Sequence, residues 1–113
     1  MYRSDKDGSI KLTRGDYVPL VVTPVLHEEK YTLKTYDYLI FTLKSSPYDA
    51  VPLVQIRTPK GTNTFEILGA HTKNLNFGTY RYDVELVFGE DGEHYTLINN
   101  KRFKVVEEVG WNE

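Results

Sequence analysis

Cysteine is absent from this chain of 113 residues. Its absence excludes a disulfide scaffold, a thiolate nucleophile and any zinc site that is built on cysteine. Alanine is almost absent, with Ala50 and Ala70 as the two examples, whereas valine, threonine and tyrosine are frequent. That balance disfavours helices and suits pleated, half-buried surfaces.

Long apolar runs and clusters of one charge sign are missing as well. No run approaches the roughly 20 residues that span a bilayer, and residues 1–8 contain no apolar segment of a secretory signal. The formal net charge is -2, and acidic and basic residues are interspersed, so the sequence shows no basic stripe that would hold a nucleic-acid backbone. We therefore expect a protein that is made in a cytoplasm, with no membrane insertion and no nucleic-acid partner.

What remains is an ordinary globular composition, with 40% hydrophobic and 27% charged residues. It predicts a single domain over residues 1–113, with flexible tails at 1–8 and 110–113. A domain of this size buries a modest core, so lateral partners would add to its stability.

Strands are predicted by the alternation of apolar and polar residues, which recurs along the chain. The clearest example is Thr79–Phe88, where Val84 and Leu86 face inward and Glu85 faces outward. Phe41 occupies the centre of a second inward face, within Tyr38–Lys44. No window of helical length shows a sustained apolar face.

Turn residues separate these strands. Asp91-Gly92 predicts a hairpin and Asn99-Asn100 a tight turn between the last two strands, while Lys44–Pro52 and Gly69–Asn76 are predicted to be loops. About 7–9 short strands indicate an all-β fold, either an antiparallel sandwich or a small barrel.

The segment Leu75–Tyr82, which contains Gly78, favours an immunoglobulin-like β-sandwich. It resembles the start of strand F in such domains, where the hydroxyl of a corner tyrosine bonds to upstream backbone. Tyr80 would be that residue, and Tyr82 would occupy the position of the absent cysteine. The alternative, that both are plain core aromatics, fits the sequence equally well.

No constellation of reactive residues is evident, and we predict no catalytic residue, no metal site and no cofactor. His27, His71 and His94 lie far apart in predicted loops without metal-ligand spacing. Glu90-Asp91-Gly92-Glu93 is interpreted as a solvated hairpin tip, and Arg14-Gly15-Asp16 as ordinary turn chemistry.

Tyrosine is the enriched residue, with nine copies. Tyr31, Tyr36, Tyr38 and Tyr48 flank one predicted strand and form a candidate interaction surface, because tyrosine suits protein interfaces and sugar faces alike. The alternative is that several of them fill the core or the ends of the sandwich.

The order of these motifs resembles small proteins and N-terminal domains of tailed phages and prophages of Gram-positive bacteria, including the baseplate upper protein type. The matching stretches are Ile10–Asp16, Tyr31–Lys44, Leu75–Leu86 and Tyr95–Val106. The resemblance implies an immunoglobulin-like sandwich in a virion tail, baseplate or fibre attachment. It also implies synthesis in the bacterial cytoplasm followed by incorporation into the virion.

The expected function is therefore that of a non-catalytic assembly module whose partners are other virion proteins and copies of itself. We expect the final strand, Arg102–Val109, to lie at an edge where it could join a neighbour's sheet. The rival is a carbohydrate- or cell-surface-binding module, in which the four tyrosines stack on sugar. A hydrolase with an unrecognised site is the third and weakest hypothesis.

Overall fold

Strands are the predominant regular element of the structure, a computed structural model that describes residues 2–4, 6–46 and 48–107. The described residues form β1 (Tyr2–Ser4), β2 (Ile10–Thr13), β3 (Val18–Val21), β4 (Val25–Leu26), β5 (Glu29–Lys30), β6 (Tyr38–Lys44), β7 (Val54–Arg57), β8 (Thr64–Ile67), α1 (Gly69–Thr72), β9 (Gly78–Val87) and β10 (His94–Val106). The predicted all-β class is confirmed. The expected tail at 1–8 contains β1, and the expected tail at 110–113 lies outside the described residues.

Six strands form one mixed sheet in the order β1-β2-β10-β9-β6-β7. Its pairs are antiparallel except for β2 and β10, which run parallel with Phe103 opposite Ile10. The expectation of a purely antiparallel fold is therefore wrong at this pair. Parallel neighbours need a long connection, and here almost the whole chain lies between the two strands. β3 and β8 form a separate two-stranded sheet, and β4 and β5 form a hairpin.

The core lies between the six-stranded sheet and the β3–β8 pair. Alternate residues of β3, Val18 and Leu20, are buried, and Phe65 and Ile67 of β8 are buried as well. Phe41 lies opposite them at the centre of the large sheet, and its ring centre is 5.9 Å from that of Phe65. Burial of apolar area in this layer contact provides the main driving force for folding.

Two further rings pack around the same position. Phe41 stacks on Tyr82 at 5.3 Å and meets Phe103 edge-on at 5.7 Å. The predicted inward residues Phe41, Tyr82, Val84 and Leu86 are all at most 2% exposed. The inward assignment is therefore confirmed for these positions.

The corner position also has the expected hydrogen bond. Tyr80 is half-buried, and its hydroxyl donates to the backbone oxygen of Asn76 over 2.7 Å. Tyr82 donates its hydroxyl to the oxygen of Gly8, which ties the segment before β2 to the core. Gly78 has a φ of 149°, a conformation that side-chain-bearing residues rarely adopt, so glycine is required where β9 begins.

The predicted turn at Asn99-Asn100 is wrong. β10 runs continuously through it, with register shifts between Thr96 and Ile98 and between Ile98 and Lys101. Asn100 does adopt the left-handed conformation, with a φ of 54°. That conformation serves a bulge as well as a turn, and β9 is long enough to pair on both sides of the bulge.

The final strand is not at an edge. β10 pairs with β9 on one side and with β2 on the other. Its Arg102–Val106 part, which was expected to be open to a neighbour, is therefore already hydrogen-bonded within the chain. Residues 108 and 109 of the predicted strand lie outside the described residues. The open edges of the large sheet are β1 and β7.

One helical turn replaces the start of the predicted loop Gly69–Asn76. α1 lies so close to the turn after β2 that a Cβ at Gly69 would come within 2.3 Å of the oxygen of Gly15. Thr72, 1% exposed, accepts a hydrogen bond from the Gly15 backbone over 2.9 Å. Four residues are too few for a helical period to be visible in a sequence.

Neighbouring residues of β9 provide a test of the face assignment. Val84→Asp would bury an unpaired carboxylate where the native side chain is fully enclosed, at a cost on the order of 4 kcal/mol or more. Glu85→Lys changes the solvent-facing side and loses one exposed contact with His94, so a change below about 1 kcal/mol is expected. Urea titrations of both variants measure the two free energies of unfolding, and similar values would contradict the assignment.

Candidate functional site

A cavity of about 370 Å³ opens at the end of the large sheet where β6 begins and β9 ends. Tyr31, Tyr36 and Phe88 provide aromatic surface to it, and Glu90 and Asp91 provide carboxylates. The rings of Tyr31 and Phe88 meet edge-on at 5.7 Å, which fixes one wall. Lys34 lines the cavity as well, so the cavity combines apolar faces with charged groups of both signs.

Asp37 holds the loops around this cavity together. Its carboxylate is buried and accepts hydrogen bonds from the Tyr31 hydroxyl over 2.6 Å and from the backbone nitrogens of Lys34 and Gly89 over 2.9 Å each. Its backbone oxygen accepts a further bond from Gly61 over 2.6 Å. One residue thus connects the loop before β6, the loop after β7 and the hairpin after β9.

These bonds decide the protonation of both partners. Burial alone would raise the pKa of Asp37, but the hydrogen bonds from Tyr31, Gly89 and Lys34 outweigh it, so its pKa lies below the ordinary 3.8. The hydrogen bond to Asp37, together with burial, raises the pKa of Tyr31 to about 12. At neutral pH the carboxylate is charged and the phenol is protonated, which is the state that the hydrogen bond between them requires. Its role is to position the loops.

The four tyrosines of the predicted interaction surface are not brought together. Tyr31 and Tyr36 line the cavity, while Tyr38 lies on the outer face of the sheet beneath the Arg57 guanidinium, 5.6 Å from its ring centre. Tyr48 is 94% exposed and follows the opposite end of β6. Seven residues of strand separate the two ends by about 20 Å. Of the predicted interaction surface, Tyr36 therefore remains available to a ligand in the cavity, whereas the Tyr31 hydroxyl is hydrogen-bonded to Asp37.

Each histidine has a local role. His27 occupies the β4–β5 turn with its ring edge-on to Tyr95, 6.0 Å between centres. His71 accepts a hydrogen bond from the Leu68 backbone over 2.8 Å and thereby caps α1. His94 lies 2.6 Å from a carboxylate oxygen of Glu85. Within the part of the chain that the structure describes, no three potential ligands gather in a way that could hold a metal ion.

Arg14-Gly15-Asp16 has a structural role. The Arg14 guanidinium donates to the oxygen of Leu75 over 3.1 Å and lies 4.0 Å above the ring of Phe77. The Gly15 nitrogen donates to Thr72. An arginine that is bonded to its own chain in this way is not presented to an external receptor, which agrees with the interpretation as turn chemistry.

A second surface was missed by sequence reasoning. The outer face of the large sheet, directed away from β3 and β8, carries a basic face that consists of Arg3, Lys11, Lys44, Arg81, Arg102 and Lys104. Cross-strand register places these side chains in two adjacent rows. They are six of the fourteen lysines and arginines in the chain. Because they come from five different strands, no stripe is visible in the sequence, although the folded sheet has one.

Comparison of the chain with known protein families, with curated proteins and with solved structures found no match. No helix among residues 2–4, 6–46 and 48–107 is long and apolar enough to cross a membrane. The phage-family resemblance rests on the sequence motifs alone.

The Asp37 network predicts a pH-dependent stability. Asp37→Asn replaces a charged acceptor of three hydrogen bonds, so it should cost about 1–3 kcal/mol at neutral pH. Because the folded pKa is depressed, the carboxylate stabilises the fold above its unfolded value near 3.8 and loses that contribution as the pH falls through the folded pKa. Thermal unfolding of the wild type and the variant should therefore differ at pH 7 and converge in acid.

Glu90→Gln is the matched control, since Glu90 lines the same cavity but is exposed. Its melting temperature should follow that of the wild type at every pH. An Asp37→Asn variant that melts like the wild type at neutral pH would show that the network contributes nothing to loop positioning.

Proposed function

We propose that this chain is a non-catalytic structural module of a phage or prophage virion, which packs against copies of itself and other virion proteins in a tail, baseplate or fibre attachment. The observation that carries the assembly function is the open edge at β7, beside exposed apolar side chains. The motif resemblance supplies the virion context, and the absence of a potential metal-binding cluster among the described residues is compatible with it.

An immunoglobulin-like sandwich is the fold we propose for this module. The neighbours β10, β9 and β6 correspond in order to strands G, F and C, β7 extends that sheet, and β3 with β8 corresponds to the B–E pair. The Tyr80 hydroxyl bond to the backbone just after α1 corresponds to the tyrosine corner between strands E and F. These correspondences support the proposal independently of any sequence match.

The β7 edge offers unsatisfied backbone groups. The Thr58 nitrogen bonds to the oxygen of Leu39 over 3.0 Å, one register position beyond the Ile40–Arg57 pair. Because hydrogen-bonded and non-bonded pairs alternate in an antiparallel ladder, the N–H and C=O groups of Gln55 and Arg57 are directed away from β6. A strand from a neighbour would find these groups in position to pair.

Apolar side chains flank this edge. Val51 is 76% exposed and Leu53 is 47% exposed, immediately before β7. Tyr48 precedes them in the same loop. An exposed apolar patch beside an open strand is a feature of surfaces that become buried on association. The combination favours an assembly module over a protein that functions as a free monomer.

Gln55→Pro tests edge pairing without disturbing the internal ladder. Proline removes an N–H that is directed to solvent, and edge strands tolerate it there. Sedimentation equilibrium of the wild type should show concentration-dependent association, and Gln55→Pro should weaken it at least about tenfold, because a ladder hydrogen bond and its neighbours are lost.

Gln55→Ala is the control, since it removes the same side chain but keeps the N–H. It should associate like the wild type. Equal association of all three proteins would exclude β7 as the contact.

In the genome, tail, baseplate or lysis genes beside this one would support the virion context, and a neighbourhood of unrelated metabolic genes would contradict it.

The cavity supports a second candidate function, binding of a sugar. Aromatic faces with nearby carboxylates are a common arrangement for stacking on and hydrogen bonding to carbohydrate. If it operates here, Tyr36→Ala should abolish saturable binding on a glycan array, because Tyr36 is an exposed ring in the cavity. Tyr48→Ala should leave binding unchanged, because that ring is at the other end of the strand. Absence of wild-type binding to any glycan would remove this candidate.

A further inference from the structure

The apolar inner face of the large sheet is incompletely covered at β7. On the neighbouring strand β6, the inward-facing residues Leu39, Phe41 and Leu43 are at most 1% exposed. Val54 and Ile56 of β7 face the same side, since they pair with Leu43 and Phe41, but they are only half-buried. β7 is the last strand of the sheet, so the flank of these two side chains is in contact with water. A strand added to β7 would bury this apolar area.

The outward-directed backbone groups of β7 are complementary to those of a second copy. Gln55 and Arg57 each direct an N–H and a C=O away from β6, because the Thr58–Leu39 bond fixes the alternation of the ladder. When two β7 strands run antiparallel with Ile56 at the centre, Gln55 of each copy lies opposite Arg57 of the other. Residues that are opposite in this way exchange both of their backbone hydrogen bonds. Every outward-directed group of the two residues therefore has a partner.

The side chains fit in this register as well. Ile56 of one copy would meet Ile56 of the other on the inner face, where the Cβ atoms of opposite residues are about 5 Å apart. On the outer face, Arg57 would lie beside Gln55, whose side-chain nitrogen donates to Thr42 and whose side-chain oxygen can accept from a guanidinium. The Arg57 guanidinium lies 5.6 Å from the ring centre of Tyr38 on its own β6, so the two arginines of a dimer are directed away from each other.

The exposed apolar side chains beside β7 belong to the same contact. Leu53, 47% exposed, immediately precedes the strand, and Pro59, also exposed, follows it closely. In the register centred on Ile56 these two positions are opposite, so Leu53 of one copy approaches Pro59 of the other. Backbone bonds between two chains replace bonds to water and contribute little net free energy. The apolar area therefore provides most of the stabilisation.

Other antiparallel registers fit less well. A slide of two residues in one direction places Arg57 opposite Arg57, and like charges at opposite positions destabilise a sheet. It also places Gln55 opposite Pro59, which has no N–H to donate. A slide of two residues in the other direction places Arg57 opposite Leu53, whose nitrogen already donates to the oxygen of Leu43 over 2.7 Å. A slide of one residue places outward-directed groups opposite groups that are directed toward β6, and no ladder forms.

We propose that two copies of this chain pair through β7 about a two-fold axis at Ile56, so that their six-stranded sheets become one continuous sheet. The proposal rests on the proposed assembly function and deepens it, because it identifies a second copy as the occupant of the β7 edge. The axis is perpendicular to the sheet, so the β3–β8 layers of both copies lie on the same side. A two-fold contact uses the same surface on both subunits and closes at the dimer, so this edge does not extend into a filament.

The lack of cysteine in the chain allows the register to be tested by crosslinking. Ile56 would lie at the axis in a pair that exchanges no backbone bonds, where opposite Cα atoms are about 4.5 Å apart. That separation is within the range of a disulfide. Oxidised Ile56→Cys should therefore form a disulfide-linked dimer, seen by non-reducing electrophoresis. Its yield should exceed that of a Val54→Cys control at least about tenfold.

Val54→Cys is the matched control, because Val54 is on the same strand and the same face and is also half-buried. In the two-fold pairing its two copies are separated by about 13 Å along the strands, which a disulfide cannot bridge. Thermal unfolding under reducing conditions shows that both variants are folded. Gln55→Cys reports a shifted register, since it crosslinks efficiently where Gln55 lies opposite itself. Sedimentation of the wild type should reach dimers and no larger species.

The outcomes separate the two-fold contact from the assembly function. A disulfide dimer that is specific to Ile56→Cys supports the contact. Association that is lost in Gln55→Pro but continues beyond dimers, or a crosslink that forms in Gln55→Cys rather than in Ile56→Cys, would overturn the two-fold register and leave assembly through β7 intact. Equal crosslinking of Ile56→Cys and Val54→Cys would show random collision and overturn the contact. A wild type that is monomeric at every concentration, without a specific crosslink, would overturn both the contact and self-association.

Discussion

The fold depends on the contact that Phe41 makes between two layers of strands. Its ring packs on Phe65 from the smaller sheet and on Tyr82 and Phe103 within the larger one. The six-stranded sheet would not be stable by itself with its apolar inner face exposed to water. Once the inner face is covered by β3 and β8, the register of every strand is fixed, since a slip by one residue would move the apolar set outward.

Fixing the register also fixes the outer face. Lysine and arginine residues occupy outward positions on five strands. They lie beside one another because the residues that alternate with them in sequence are buried in the core. The same register places the β9–β10 hairpin and its carboxylates at the far end of the sheet. The distribution of charged side chains over the outer face is therefore a consequence of core packing, and so is the position of the open β7 edge.

Several features could be predicted from short stretches of sequence. Period-two alternation located the inward face at Val84 and Leu86, and Asp91-Gly92 located a hairpin, because both signals depend on adjacent residues. The left-handed conformation of Asn100 was also foreseeable. The sequence did not show whether Asn100 belongs to a turn or to a β-bulge. Both require the same backbone conformation, and they differ in whether a partner strand continues alongside. The cavity was foreseen only through Tyr31 and Tyr36, and nothing in the sequence marked Asp37 as the acceptor for three separate donors.

The sequence by itself determined the β-rich class, the inward residues and the lack of cysteine chemistry, because these follow from composition and from neighbours one or two positions apart. Only the tertiary structure decided that β10 is interior, that Tyr48 is far from Tyr36, and that six cations share one face. These properties depend on which strands become adjacent. Strand order is set by contacts between residues distant in sequence, such as Phe103 with Ile10, and no local pattern encodes it.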